Sequence, residues 1–149
     1  MVLNMKRLSL AFLILLGLAQ AQTTLKLEQG WVRRVPGNIT AAYLVLYNPT
    51  DKPIRIVGAS TPVATRVEFH QTTQGGHDDH LSVSAMKRVE ALVVPARGRL
   101  EILPGKYHLM LYGLREKNPR PLQEGQKVPL TLRLEGGATL TFTLTVQMR

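Results

Sequence analysis

Runs in which every second residue is apolar, cut by proline and glycine at intervals of roughly 8–12 residues, leave this chain few ways to fold. The clearest is 139–147, Thr-Leu-Thr-Phe-Thr-Leu-Thr-Val-Gln, where Leu140, Phe142, Leu144 and Val146 share one side. With 128–134 it forms a closing hairpin across Glu135-Gly136-Gly137. Upstream, strands are predicted over 24–35, 40–47, 54–60, 65–71, 81–89, 91–94 and 99–103. They are separated by Pro36-Gly37-Asn38, the 48–53 stretch with Pro49 and Pro53, Thr61-Pro62, a polar stretch at 72–79, Pro95 and Pro104-Gly105. No segment carries a convincing amphipathic helical period. About nine short strands in 149 residues, without an internal repeat, argue for one antiparallel β-sandwich or barrel.

The strand at 105–113, Gly-Lys-Tyr-His-Leu-Met-Leu-Tyr-Gly, is the most informative chemically. Alternation puts Tyr107, Leu109 and Leu111 on one face and His108 and Met110 on the other. An imidazole and a thioether therefore stand side by side, with an apolar face behind them to fix the backbone.

Residues 1–21 read as a secretory signal peptide: Lys6 and Arg7, an apolar core over 8–18, and Ala19-Gln20-Ala21 as the cleavage site. The apolar core is shorter than the roughly 20 residues a membrane span needs; an uncleaved anchor is the plainer alternative. The expected organisation is thus a signal peptide over 1–21 and a single domain over 22–149, placed outside the cytoplasm, in the periplasm. The formal charge of +9 falls to +7 once Lys6 and Arg7 are removed. That charge favours an acidic partner or an anionic membrane surface. The basic residues are scattered and do not alternate with aromatics, which argues against nucleic-acid binding. The chain has no cysteine, which excludes disulfides, a catalytic thiol, a lipid-modified cysteine and a blue-copper thiolate ligand.

Three of the five methionines, Met86, Met110 and Met148, lie beyond the signal segment, and all four histidines (His70, His77, His80 and His108) lie between residues 70 and 108. Thioether and imidazole are the donors that suit soft Cu(I), and outside the cytoplasm they carry less oxidation risk than a thiol. The candidate ligands are His70, Met86, His108 and Met110. Taken singly, His70 is an ordinary surface histidine and Met110 an ordinary core filler; the set has more force than its members. His77-Asp78-Asp79-His80 is a second candidate, for Cu(II) or zinc, against the simpler reading of a solvated loop. No nucleophile elbow or phosphate-binding loop is present.

Beyond these residues the chain resembles the periplasmic copper chaperones of the PCuAC type. The likeness runs through Gly30-Trp31-Val32-Arg33, Ala41-Ala42-Tyr43-Leu44, Asn48-Pro49, Val57-Gly58-Ala59-Ser60-Thr61-Pro62-Val63-Ala64, Val67-Glu68-Phe69-His70, Val94-Pro95-Ala96, Pro104 to Leu111, and Val128-Pro129-Leu130-Thr131-Leu132. That family's copper motif is a histidine, ten residues, a methionine, twenty-one residues, then His-x-Met. Here twenty-one residues separate Met86 from His108, and His108-Leu109-Met110 supplies the final element. The departure is in the first gap, where fifteen residues lie between His70 and Met86.

The resemblance implies a cupredoxin-like Greek-key β-sandwich that carries Cu(I), one per chain, and delivers it to the dinuclear copper centre of cytochrome c oxidase. Another copper chaperone is the alternative partner, and a monomer is expected. The Met/His-rich tail of some relatives is not expected after Arg149. Two other classes compete. A metal-free secreted binding or adhesion module would tolerate loss of all four ligands. A copper enzyme would need an acid–base pair that the sequence does not offer.

Overall fold

A computed structural model describes residues 25–74 and 84–149. The predicted signal peptide, and His77 and His80, lie outside the described residues.

Ten strands are present among the described residues: β1 Lys26–Arg33, β2 Ile39–Tyr47, β3 Ile54–Ser60, β4 Arg66–Gln74, β5 Ser84–Val89, β6 Leu92–Val94, β7 Arg99–Ile102, β8 Tyr107–Tyr112, β9 Lys127–Leu134 and β10 Thr139–Gln147. A single-turn helix, α1 Leu114–Lys117, follows β8. The strands form one hydrogen-bonded sheet in the order β5-β4-β8-β2-β1-β10-β9-β3-β6, with β7 also paired to β2. The sheet curls into a barrel-like β fold, as the alternation predicts, and it is cupredoxin-like, as the family resemblance implies. One pairing is not visible in the sequence: β1 runs parallel to β10, with Trp31 opposite Thr145, while the other pairs are antiparallel.

The main core fills the inside of this curl. It takes Leu44 and Leu46 from β2, Ile56 from β3, Phe69 from β4, Leu109 and Leu111 from β8, Leu130 and Leu132 from β9, and Leu144 and Val146 from β10. β2 is apolar along nearly its whole length because it is covered on both sides. Ala42, Leu44 and Leu46 face the main core, whereas Ala41 and Tyr43 join Trp31 in a second cluster on the outer face. Leu103 and Met110 pack against that second cluster. Its rings are capped by cations: the Arg149 guanidinium lies 3.8 Å from the Trp31 centroid and that of Arg33 5.1 Å from the Tyr43 centroid.

Turn chemistry fixes where β8 ends. Gly113 has φ of 75°, and a Cβ there would fall 2.2 Å from Thr65 Oγ1. Both the backbone angle and the close approach call for glycine. The chain is thereby turned immediately after the strand that carries His108 and Met110.

Candidate metal centre

β4 and β8 lie side by side and antiparallel, and their register sets His70 directly opposite His108. Residues paired in this way project to the same face with Cβ atoms about 5 Å apart. The two imidazole centroids are 5.4 Å apart, with the ring planes tilted by 43°. Met110 sits opposite Glu68 one step along the same ladder, where it meets the aromatic cluster. On the other side, β5 pairs with β4 so that Arg88 is opposite His70 and Met86 opposite Thr72.

The four predicted ligands thus occupy one face of three adjacent strands, but not equally closely. His70 and His108 form a pair, and Met110 is next to it. Met86 stands on the edge strand with 59% of its surface exposed. It lines the same cleft as His108 and Met110, a cavity of about 360 Å³ that Arg33, Ala41, Tyr43 and Gly105 help to enclose. The face is largely covered. His108 is 6% exposed, and only Met86 reaches well into solvent.

Burial governs the electrostatics. Desolvation is the main cause that lowers the His108 pKa, and the nearby His70 and Arg33 push in the same direction. The ring is thereby kept neutral, the form that can bind a metal. The hydrogen bond to His70 is the main cause that holds the Glu68 carboxyl below the usual carboxylate range; partial burial opposes it, and the hydrogen bond and charge of Arg66 and the charge of Arg88 add to it.

Glu68 is the functional neighbour that the sequence reading missed. Its Oε2 lies 3.0 Å from His70 Nε2, while Oε1 accepts from Arg66 Nε at 3.2 Å. The signal for it was available, since Glu68 and His70 share a face by alternation.

Two ring nitrogens, His70 Nδ1 and His108 Nε2, are buried without a hydrogen-bond partner. Leaving a polar atom in that condition costs about 1–3 kcal/mol, and a metal ion would satisfy an imidazole lone pair. Among the described residues no group of three or more His, Cys, Asp or Glu side chains is placed to hold a metal. Outside those four residue types, the same sheet face carries the thioethers of Met86 and Met110.

Comparison with known proteins places the chain. A family model described as "Putative lipoprotein LpqE-like" matches residues 25–146. The chain belongs to the LpqE-like family. A relative from Leifsonia xyli subsp. xyli (strain CTCB07), named "Putative lipoprotein Lxx21020", is 31% identical over 136 residues, spanning 87% of this chain and 76% of the relative. This LpqE-like chain contains no cysteine, so the cysteine that bears the lipid in a lipoprotein is not among its residues. Among solved structures, the Cu(I) form of DR1885 from Deinococcus radiodurans is 37% identical, with a TM-score of 0.62, covering 88% of this chain and 84% of that one. The copper-bound PCuAC domain from PmoF2 has a TM-score of 0.63 at 22% identity, covering 84% and 93%. At that identity the second likeness speaks for the fold alone.

Proposed function

We propose that this LpqE-like protein is a copper carrier of the cell envelope, exported by its N-terminal segment and related in function to the PCuAC chaperones. One Cu(I) is held by His70, Met86, His108 and Met110. The observation that carries this reading is the pair of buried ring nitrogens, His70 Nδ1 and His108 Nε2, left without partners on the sheet face that also bears Met86 and Met110. The 37% identity to a protein solved with Cu(I) supports it. So do the names of the family and of the relative, both putative lipoproteins, a class of cell-envelope protein.

The work is ligand exchange rather than catalysis. Thioether sulfur binds Cu(I) without losing a proton, and the neutral imidazoles need none removed. Met86, exposed on the edge strand, is the ligand an acceptor's thiolate displaces first. The acceptor is the dinuclear copper centre of cytochrome c oxidase or another copper chaperone.

The test is an anaerobic Cu(I) titration of the mature protein against a competing Cu(I) chelator, with Met110→Ala beside it. One equivalent bound tightly, and at least tenfold more weakly in the variant, is the expected result. Failure to compete, or a variant indistinguishable from wild type, would leave a metal-free binding module as the better reading.

A further inference from the structure

Glu68 does more than lie near the site. Its carboxylate lies 3.0 Å from His70 Nε2, and the side chains of His70 and Glu68 are only 13% and 19% exposed. A carboxylate only accepts, so Nε2 must carry the hydrogen. In a neutral ring the lone pair is then at Nδ1, the atom that is buried and unpartnered. The opposite tautomer would set an Nε2 lone pair against carboxylate oxygen and bury an unsatisfied Nδ1–H, two penalties at once. The carboxylate is itself anchored from the far side by Arg66 Nε at 3.2 Å, whose guanidinium lies 4.0 Å from the Tyr112 centroid.

We infer that Glu68 is a positioning residue that locks His70 in the Nε2–H tautomer, so that His70 meets its ligand through Nδ1 and never through Nε2. The inference rests on the copper reading for the identity of the ligand, but the tautomer is a property of the metal-free protein. Partners of this kind orient a ligating imidazole and raise its basicity, and their loss typically weakens metal binding about 10- to 100-fold.

The test has two arms. In the metal-free protein, two-bond ¹H–¹⁵N correlation spectra read the protonation of each ring nitrogen directly. The neutral His70 ring is expected to show a protonated Nε2 and a bare Nδ1, and Glu68→Ala to mix the tautomers. In the second arm, anaerobic Cu(I) competition should weaken about 10- to 100-fold in Glu68→Ala. Glu68→Gln should recover most of that loss, because its amide oxygen still accepts from Nε2–H. Arg66→Ala, which leaves the Glu68–His70 bond in place, should bind within a few-fold of wild type, and circular dichroism checks that each variant is folded. A bare Nε2 in wild type, or Glu68→Ala with unchanged tautomer and affinity, would overturn the inference while leaving the copper site standing. A wild-type protein that takes up no Cu(I) but shows the Nε2–H tautomer would instead sink the copper reading, and with it the ligand role of Nδ1.

Discussion

His108 projects away from the main core yet is almost fully buried, and that combination decides how the site responds to pH. Its pKa is lowered from the ordinary value of 6.5. On unfolding the ring regains the ordinary value, so as pH falls below about 6.5 the unfolded chain takes up the proton before the folded one does. The contribution of this group to stability is therefore complete above that pH and is lost as pH falls towards the folded-state pKa. The same shift keeps His108 neutral and able to bind metal under mildly acidic conditions in which an exposed histidine would be charged. Titration of the His108 ring protons by NMR in the metal-free protein should give a midpoint below 6.5; a midpoint at or above it would contradict this account. The faces of His108, Met110 and His70 were legible from alternation alone. The packing of Met110 was not, because it rests on Trp31, Ala41 and Tyr43, which reach the outer face from other parts of the chain.

At the scale of the element, β8 joins stability to function. Leu109 and Leu111 are fully buried in the core, and the residues beside and between them, His108 and Met110, are two of the proposed ligands. Leu109→Ala should destabilise the fold by about 2–5 kcal/mol, seen as a lower denaturation midpoint. Below that transition the variant should still bind copper, since neither His108 nor Met110 is removed; a folded variant without copper binding would mean that the register of β8 had slipped. The β4–β5 hairpin explains why the long gap between His70 and Met86 is tolerable. Its ladder runs without a break from Phe69 opposite Val89 to Gln74 opposite Ser84, which sets Met86 opposite Thr72, two residues along β4 from His70. The sequence located both strands and the polar stretch between them. It could not give the register, which is set by pairing between distant segments.

For the molecule as a whole, charge and topology matter most. The chain carries a formal +9, and arginines border the site: Arg33 in the cleft wall, Arg88 opposite His70 and Arg66 beside Glu68. Such a rim attracts an acidic acceptor and repels a basic one, an effect that salt screens over about 10 Å at 0.1 M. Copper transfer to an acidic acceptor domain should therefore slow several-fold between about 0.02 and 0.3 M salt, as followed by stopped-flow; a rate indifferent to salt would remove steering from the account. The fold class was readable from strand spacing, because alternation is a local signal. The parallel β1–β10 pairing and the two-sided burial of β2 were not, because they record which distant strands become neighbours.

The central claim, a Cu(I) ion held by imidazole and thioether donors on this sheet face, is tested most directly by X-ray absorption at the copper edge on the protein loaded with one equivalent of Cu(I). The account predicts a Cu(I) edge with two nitrogen and two sulfur scatterers, and loss of one sulfur in Met86→Ala. A first shell of nitrogen and oxygen alone, unchanged by that substitution, would contradict it.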